Sequence, residues 1–232
     1  SNEIVINLIS KSGSTAESLI NMDHLVDRLR KKFPNILERI VITTDKDSAL
    51  FAYAQKHGTA TLILPKPIGG RFSVFTTVGL LPLILLGADV EMLRSGAQET
   101  FTAELTRNAD NAKKAAETIY KSYQTGVTIF NQFFFNPEFE SLGKWGRQLI
   151  GESLGKEHTK DGKTAHTGIM PIVSIGSTDL HSMAQLYFGG PRNIYTLLVR
   201  APREKLLTPP VHFAKLAHID GKSASDVMDA IY

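Results

Sequence analysis

Ile4-Val-Ile-Asn-Leu-Ile9, followed by Ser10-Lys-Ser-Gly-Ser-Thr15 and then by Ala16 to Phe33, is the passage that decides the fold. The first six residues are short, β-branched and apolar, as a strand inside a parallel sheet should be. The next six are small and polar. From Ala16 onward Leu19, Met22, Leu25, Val26 and Leu29 recur at helical spacing, and Pro34 ends the helix. The same order repeats downstream. Ile40-Val-Ile-Thr-Thr44 predicts a second strand, Ser48 to His57 a helix with Gly58 as its C-cap, and Ala60-Thr-Leu-Ile-Leu64 a third strand. Alternation of strands and helices predicts an α/β fold built on a parallel sheet.

A second half restarts after a helical, more charged region from Ala88 to Gly126, whose clearest helix spans Ala109 to Tyr123. Val127 to Phe135 reads as a strand, and about Phe139 to Gly151 as a helix. A polar loop is expected from Lys156 to Gly168. Strands follow at Met170 to Ile175 and Ile194 to Val199, and a closing helix is expected from the capping pattern Ser223-Ala-Ser-Asp226. The expected organisation is two doubly wound subdomains with mainly parallel sheets, over 1–100 (the C-terminal part of the first) and 127–232 (the second, C-terminally incomplete), joined by a helical connection over 101–126. The chain opens almost at once on an apolar strand and stops at Tyr232 with no polar tail. The expectation is therefore a piece of a longer protein.

Bulk composition narrows the function. A net charge of +3 over 232 residues does not argue for nucleic acid or a membrane surface. With no cysteine there is no disulfide, thiolate zinc site or cysteine nucleophile, which is compatible with a cytosolic origin. The longest apolar run, Val78 to Ala88, contains Pro82 and is about half the ~20 residues of a membrane span. A buried helix is expected there instead. His24, His57, His158, His166, His212 and His218 show no metal-ligand spacing. The dinucleotide fingerprint Gly-x-Gly-x-x-Gly is absent.

Four stretches carry chemistry. The loop Ser10 to Thr15, with Ser18 one turn on, lies where a strand meets a helix N-terminus. Backbone N–H groups and the helix dipole attract anions there, Gly13 allows close approach, and the hydroxyls can donate. An N-capped turn without a ligand is the plainer alternative. Gly69-Gly-Arg71 places a permanent planar cation beside two glycines, suited to a developing oxyanion; a glycine turn with a solvated arginine is its bland counterpart. Gly151-Glu-Ser-Leu-Gly155 matches the nucleophile elbow Gly-x-Ser-x-Gly in letters only, because the elbow joins a strand to a helix and Phe139 to Ile150 read as helical. Glu152 is the better candidate there, as a partly desolvated carboxylate at a helix end that shuttles a proton; a helix-end surface glutamate is its plainer alternative. Gly176-Ser-Thr-Asp-Leu-His181 brings His181 to the C-terminal edge of a parallel sheet, where ligands bind; a structural or exposed histidine on a helix is the commoner case.

Together and in this order these stretches resemble the phosphoglucose isomerases, bacterial-type members in particular. ISKSGSTAES, from Ile9 to Ser18, is similar to the family's phosphate loop. GGRFSVFTTVGLLPLILLGAD, from Gly69 to Asp89, resembles its long signature. GKWGRQLIGESLGKE, from Gly143, resembles the segment with the catalytic glutamate, and GSTDLHSMAQLYFGG, from Gly176, the one with the catalytic histidine. The resemblance implies a sugar-isomerase fold of the flavodoxin-like kind. It implies that Ser10, Ser12, Thr15 and Ser18 hold the phosphate, with Lys11 acting through its backbone. Gly70 and Gln148 would line the pocket. Arg71 would stabilise an enediolate, Glu152 would move the proton between C1 and C2, and His181 would help open the ring from the partner subunit of a homodimer. It implies no metal, no organic cofactor and a cytoplasmic enzyme. Two family features have no match: a Gly-Gly-Ser loop ahead of the phosphate strand, and a C-terminal helix carrying a ring-opening lysine. The 232-residue chain alone is therefore expected to be inactive.

Rival readings are a non-catalytic sugar-phosphate sensor on the same fold, a serine hydrolase using Ser153, and the isomerase part of a fused transaldolase. A sensor needs the phosphate loop but not Arg71, Glu152 and His181 together.

Overall fold

The structure, a computed structural model, describes residues 4–106 and 111–201. The chain divides into two compact units, Ser1–Ala112 and Lys113–Tyr232, with the division inside the helical stretch expected over 101–126. The closing helix expected at Ser223 lies outside the described residues.

The first unit runs β1 (Ile6–Ile9), α1 (Ala16–Arg30), β2 (Ile40–Thr44), α2 (Ala49–His57), β3 (Ala60–Ile63), α3 (Thr77–Leu85) and α4 (Val90–Thr106). The three strands are parallel in the order β1-β2-β3, with Ile6 opposite Ile40 and Val41 opposite Ala60. Alternation along the strands sends Ile6, Leu8, Ile40 and Ile42 into a core shared with Val26, Ile36, Leu50 and Ala54. Gly58 ends α2 with φ 65°, a left-handed conformation that glycine adopts without a Cβ penalty.

The apolar run after Gly69 departs from expectation. It forms α3, but no residue of α3 is buried, and Leu86 just beyond it is 83% exposed. Composition makes this helix apolar all round, yet burial needs a covering element, and α3 packs on the turn Gly70–Phe75 and on α4. A Cβ at Gly79 would collide with the Val74 backbone, so that turn and α3 lie in close contact.

The second unit contains α5 (Asn111–Gln124), whose first two residues precede the division, then β4 (Ile129–Phe134), α6 (Glu140–Leu154), β5 (Lys156–His158), β6 (Thr164–Thr167), β7 (Met170–Ile175), α7 (Thr178–Ser182), α8 (Ala184–Gly189) and β8 (Ile194–Val199). The main sheet is parallel, ordered β7-β4-β8. Successive crossovers leave β4 on opposite sides, which is the doubly wound pattern. The stretch expected as a polar loop from Lys156 to Gly168 is instead a two-stranded antiparallel hairpin, β5 with β6. Its turn is closed by the Thr159 N–H to Lys163 O bond (2.8 Å) and by Gly162 at φ 82°. The Thr159 hydroxyl donates to Asp161 and holds that carboxyl below its usual range. All three β5 residues are exposed, so no apolar alternation announces the strand.

β4 is buried throughout its second half and carries two adjacent amides. Asn131 accepts from the Ser174 hydroxyl at 2.9 Å, and Ser174 also bonds the Tyr187 hydroxyl at 2.7 Å. Gln132 points to the other face, against Gly146, where a Cβ would have no room. The Asn131 and Gln132 side-chain NH2 groups are buried without a hydrogen-bond partner.

Candidate active site

In the first unit, β1 delivers Ser10 to the C-terminal edge of the sheet, where its N–H continues the ladder to Thr43 O at 3.1 Å. The loop that follows is fixed from outside. The Thr44 hydroxyl donates to Ser10 O at 2.7 Å and lies 2.7 Å from the Ser48 hydroxyl. Ser48 in turn accepts the Phe51 N–H at 3.0 Å and caps α2. Gly13 has φ 69°, and a Cβ there would come within 2.9 Å of Leu50 and Ser48, so the loop closes onto the start of α2 only with glycine.

The loop hydroxyls form a small cluster. Ser10 Oγ, almost fully buried, is 2.9 Å from Thr15 Oγ1. Ser12 Oγ is exposed and accepts from the Ser14 N–H (3.2 Å) and hydroxyl (2.9 Å). Thr15 is the N-cap of α1 but makes no side-chain cap bond, its hydroxyl being turned to Ser10. Ser18 follows half-buried in the first turn of α1. Hydroxyl donors therefore stand beside the positive end of a 15-residue helix, a geometry suited to a phosphate monoester.

Arg71 lies on the turn Gly70–Phe75, reached from the C-terminal end of β3. It is half-buried, with its guanidinium stacked 4.6 Å from the centre of the Phe72 ring. Gly70 is exposed, and its carbonyl accepts the Ser73 hydroxyl at 2.6 Å. The Lys11 ammonium spans from the loop over 10–15 to this region, donating to Lys66 O at 2.8 Å and Ile68 O at 2.7 Å.

In the second unit, α6 carries Gln148 and Glu152 one turn apart, the Gln148 amide donating to the Glu152 carboxylate at 2.9 Å. Glu152 is exposed within its unit, and Gly143 is the buried residue of α6, so the expected partial desolvation of Glu152 is not met here. An amphipathic helix against a sheet leaves its far side open. Ser153 lies in the last turn of α6, with no strand before Gly151, so the elbow geometry is absent.

His181 is exposed in α7, beyond the C-terminal end of β7. Asp179 fixes that helix: its carboxylate accepts the Ile175 N–H at 2.7 Å and the Ser182 hydroxyl at 3.0 Å. Glu152 and His181 are not brought together. α6 starts beside the end of β4, where a Cβ on Gly143 would meet Phe134. It finishes beside the start of β7, where Gly151 approaches Pro171. α7 leaves from the far end of β7, at Ile175.

Thr44, Ser48 and Asp179 hold these groups, and only Ser48 had a sequence signal, as a helix cap. Among the described residues no group of three or more His, Asp or Glu could hold a metal ion, and no helix is long and apolar enough to cross a membrane.

The family model for phosphoglucose isomerase matches residues 1–217. The chain belongs to the phosphoglucose isomerase family. It is 37% identical over 211 residues to a glucose-6-phosphate isomerase of Clostridium novyi (strain NT), covering 87% of this chain and 45% of that protein. It is 37% identical over 217 residues to one of Heliobacterium modesticaldum, covering 90% and 46%. The chain thus spans about half the length of the curated phosphoglucose isomerases it matches. A crystal structure of a hypothetical protein from Thermus thermophilus matches with TM-score 0.86 at 30% identity, covering 98% of this chain and 55% of that one. A glucose-6-phosphate isomerase from Chlamydia trachomatis has TM-score 0.79 over 98% of this chain and 44% of its own, and at 21% identity it shows the shared fold alone.

Proposed function

We propose that the full protein containing this chain interconverts glucose 6-phosphate and fructose 6-phosphate, as a cytoplasmic homodimer. The observation that carries this reading is the exposed Glu152 carboxylate, oriented by Gln148 at the end of α6, in a chain of the phosphoglucose isomerase family. The phosphate would dock on Ser10, Ser12, Thr15 and Ser18, with the Lys11 backbone in the same loop and Gly70 and Gln148 lining the pocket. His181 assists ring opening by moving a proton between the ring oxygen and the C1 oxygen. Glu152 removes the proton from C2 of the open aldose, and a cis-enediolate forms. Arg71 stabilises its negative charge. Glu152 then returns the proton to C1 while the C2 hydroxyl proton passes to the C1 oxygen, and the ketose results.

The placement of His181 and Glu152 at opposite ends of one sheet supports a site shared between two subunits, each giving one of the pair. A coupled assay for glucose 6-phosphate formation from fructose 6-phosphate by the full-length protein tests the reading. Turnover supports it. Binding of fructose 6-phosphate without turnover indicates a sugar-phosphate sensor instead.

A further inference from the structure

We propose that the Lys11 side chain is a positioning residue that couples the phosphate loop to Arg71, and is not itself a phosphate ligand. The inference rests on the proposed isomerase reading. Two of the three ammonium donors are engaged by backbone carbonyls, Lys66 O at 2.8 Å and Ile68 O at 2.7 Å. Those carbonyls belong to a closed turn, since the Ile68 N–H bonds Pro65 O at 3.0 Å. The next residue begins the arginine turn: Gly69 O accepts the Phe72 N–H at 3.0 Å.

Two consecutive glycines, Gly69 and Gly70, precede Arg71, and a Cβ on Gly70 would meet nothing within 4 Å. Such a pair is conformationally loose and does not place a guanidinium by itself. The turn is closed from within by the Ser73 hydroxyl on Gly70 O, and Lys11 adds an anchor on its upstream side. The parallel strut, Lys66 to Asp47 at 3.2 Å, joins side chains 73% and 58% exposed and adds little. At its other end Lys11 is held by its own carbonyl, which accepts the Asp45 N–H at 3.2 Å. Fixing Ser10 to Thr15 around a phosphate therefore also fixes Lys11, the turn at Ile68, and through it Arg71. Binding energy from the non-reacting end of the substrate is thereby used to place the group that meets the enediolate.

The test uses the full-length protein with Lys11→Met, Lys11→Arg, Arg71→Ala and the Lys11→Met/Arg71→Ala double variant. Lys11→Met should lower kcat about 10- to 100-fold, the scale of a misplacement near 1 Å. KM for fructose 6-phosphate and inhibition by inorganic phosphate should stay within about threefold, and Lys11→Arg should recover most of kcat by keeping the donors. The double variant should be no slower than Arg71→Ala alone, because both changes act through one group. If Lys11→Met does not fold, Lys11→Gln takes its place in the same comparison. A raised KM with unchanged kcat, or losses that multiply in the double variant, overturns the inference. Normal kcat in Lys11→Met beside an impaired Arg71→Ala overturns it alone. Normal turnover in Arg71→Ala removes both this inference and the role proposed for Arg71.

Discussion

Glu152 and His181 of one chain lie at opposite ends of the same parallel sheet. Gly151, beside Glu152, approaches Pro171 near the start of β7, whereas the helix bearing His181 is tied to Ile175 at its end. Four residue steps along the strand separate those anchor points, on the order of 13 Å at the usual rise. In the proposed mechanism a proton acceptor and a ring-opening group must both reach one sugar, which is small against that span.

Mixed dimers test the consequence. Combining Glu152→Gln and His181→Ala subunits of the full-length protein should restore activity, because one of the two sites in each heterodimer is intact. Random exchange should give about a quarter of the wild-type rate in a two-fold dimer. No recovery after demonstrated exchange would place both residues in one subunit's pocket.

The proposed base can be examined alone. Glu152→Gln should bind fructose 6-phosphate normally while losing about 10²–10⁴-fold in turnover, the scale of general base catalysis. Binding by calorimetry and turnover by the coupled assay separate the two effects. Near-normal turnover would assign the proton transfer to another residue.

The proposed phosphate loop should fail through its supports as well as through its ligands. Thr44→Val keeps the shape of a fully buried side chain but removes the donor to Ser10 O. Leaving that carbonyl and the Ser48 hydroxyl without this partner should cost about 1–3 kcal/mol of stability. Denaturant unfolding measures the loss, and a raised KM for fructose 6-phosphate should accompany it. Gly13→Ala should be at least as severe, with about 1–3 kcal/mol from the left-handed backbone alone and the clash with Leu50 and Ser48 added.

Asp179 should matter to catalysis without touching the sugar. Asp179→Ala removes the acceptor of the Ile175 N–H, a charge-assisted bond of about 1.5–3 kcal/mol. Turnover should fall towards that of His181→Ala while phosphate inhibition is unchanged. Equal loss of phosphate inhibition would point to general unfolding.

Much of this was legible in the sequence, for identifiable reasons. β2, β7 and β8 are short β-branched or apolar runs between turn residues, and their bounds match the pattern that predicts them. The β5–β6 hairpin is exposed but for a half-buried Ala165 and carries no larger apolar side chain, so periodicity had nothing to register. The exposure of α3 was illegible for a different reason: an apolar helix declares what it needs, not what covers it. Within the site, Ser10 to Thr15 and Glu152 are carried by local motifs. The grip of Lys11 on Lys66 spans 55 positions, and the opposition of Glu152 and His181 depends on the direction of α6, which no local pattern encodes.

The two adjacent amides in β4 act on folding itself. A strand that slides by one position exchanges its faces. Asn131 would then leave Ser174 and turn toward the α6 side; slipped one way, Phe130 would take its place among the hydroxyls of Ser174 and Tyr187, and slipped the other way, Phe133 would take the place of Gln132 against Gly146. An all-apolar β4 would lose little by such a slip. Asn131 and Gln132 make it costly, so the uncompensated NH2 groups are the stability surrendered for a single alignment of the central strand, and with it for the fixed opposition of α6 and α7.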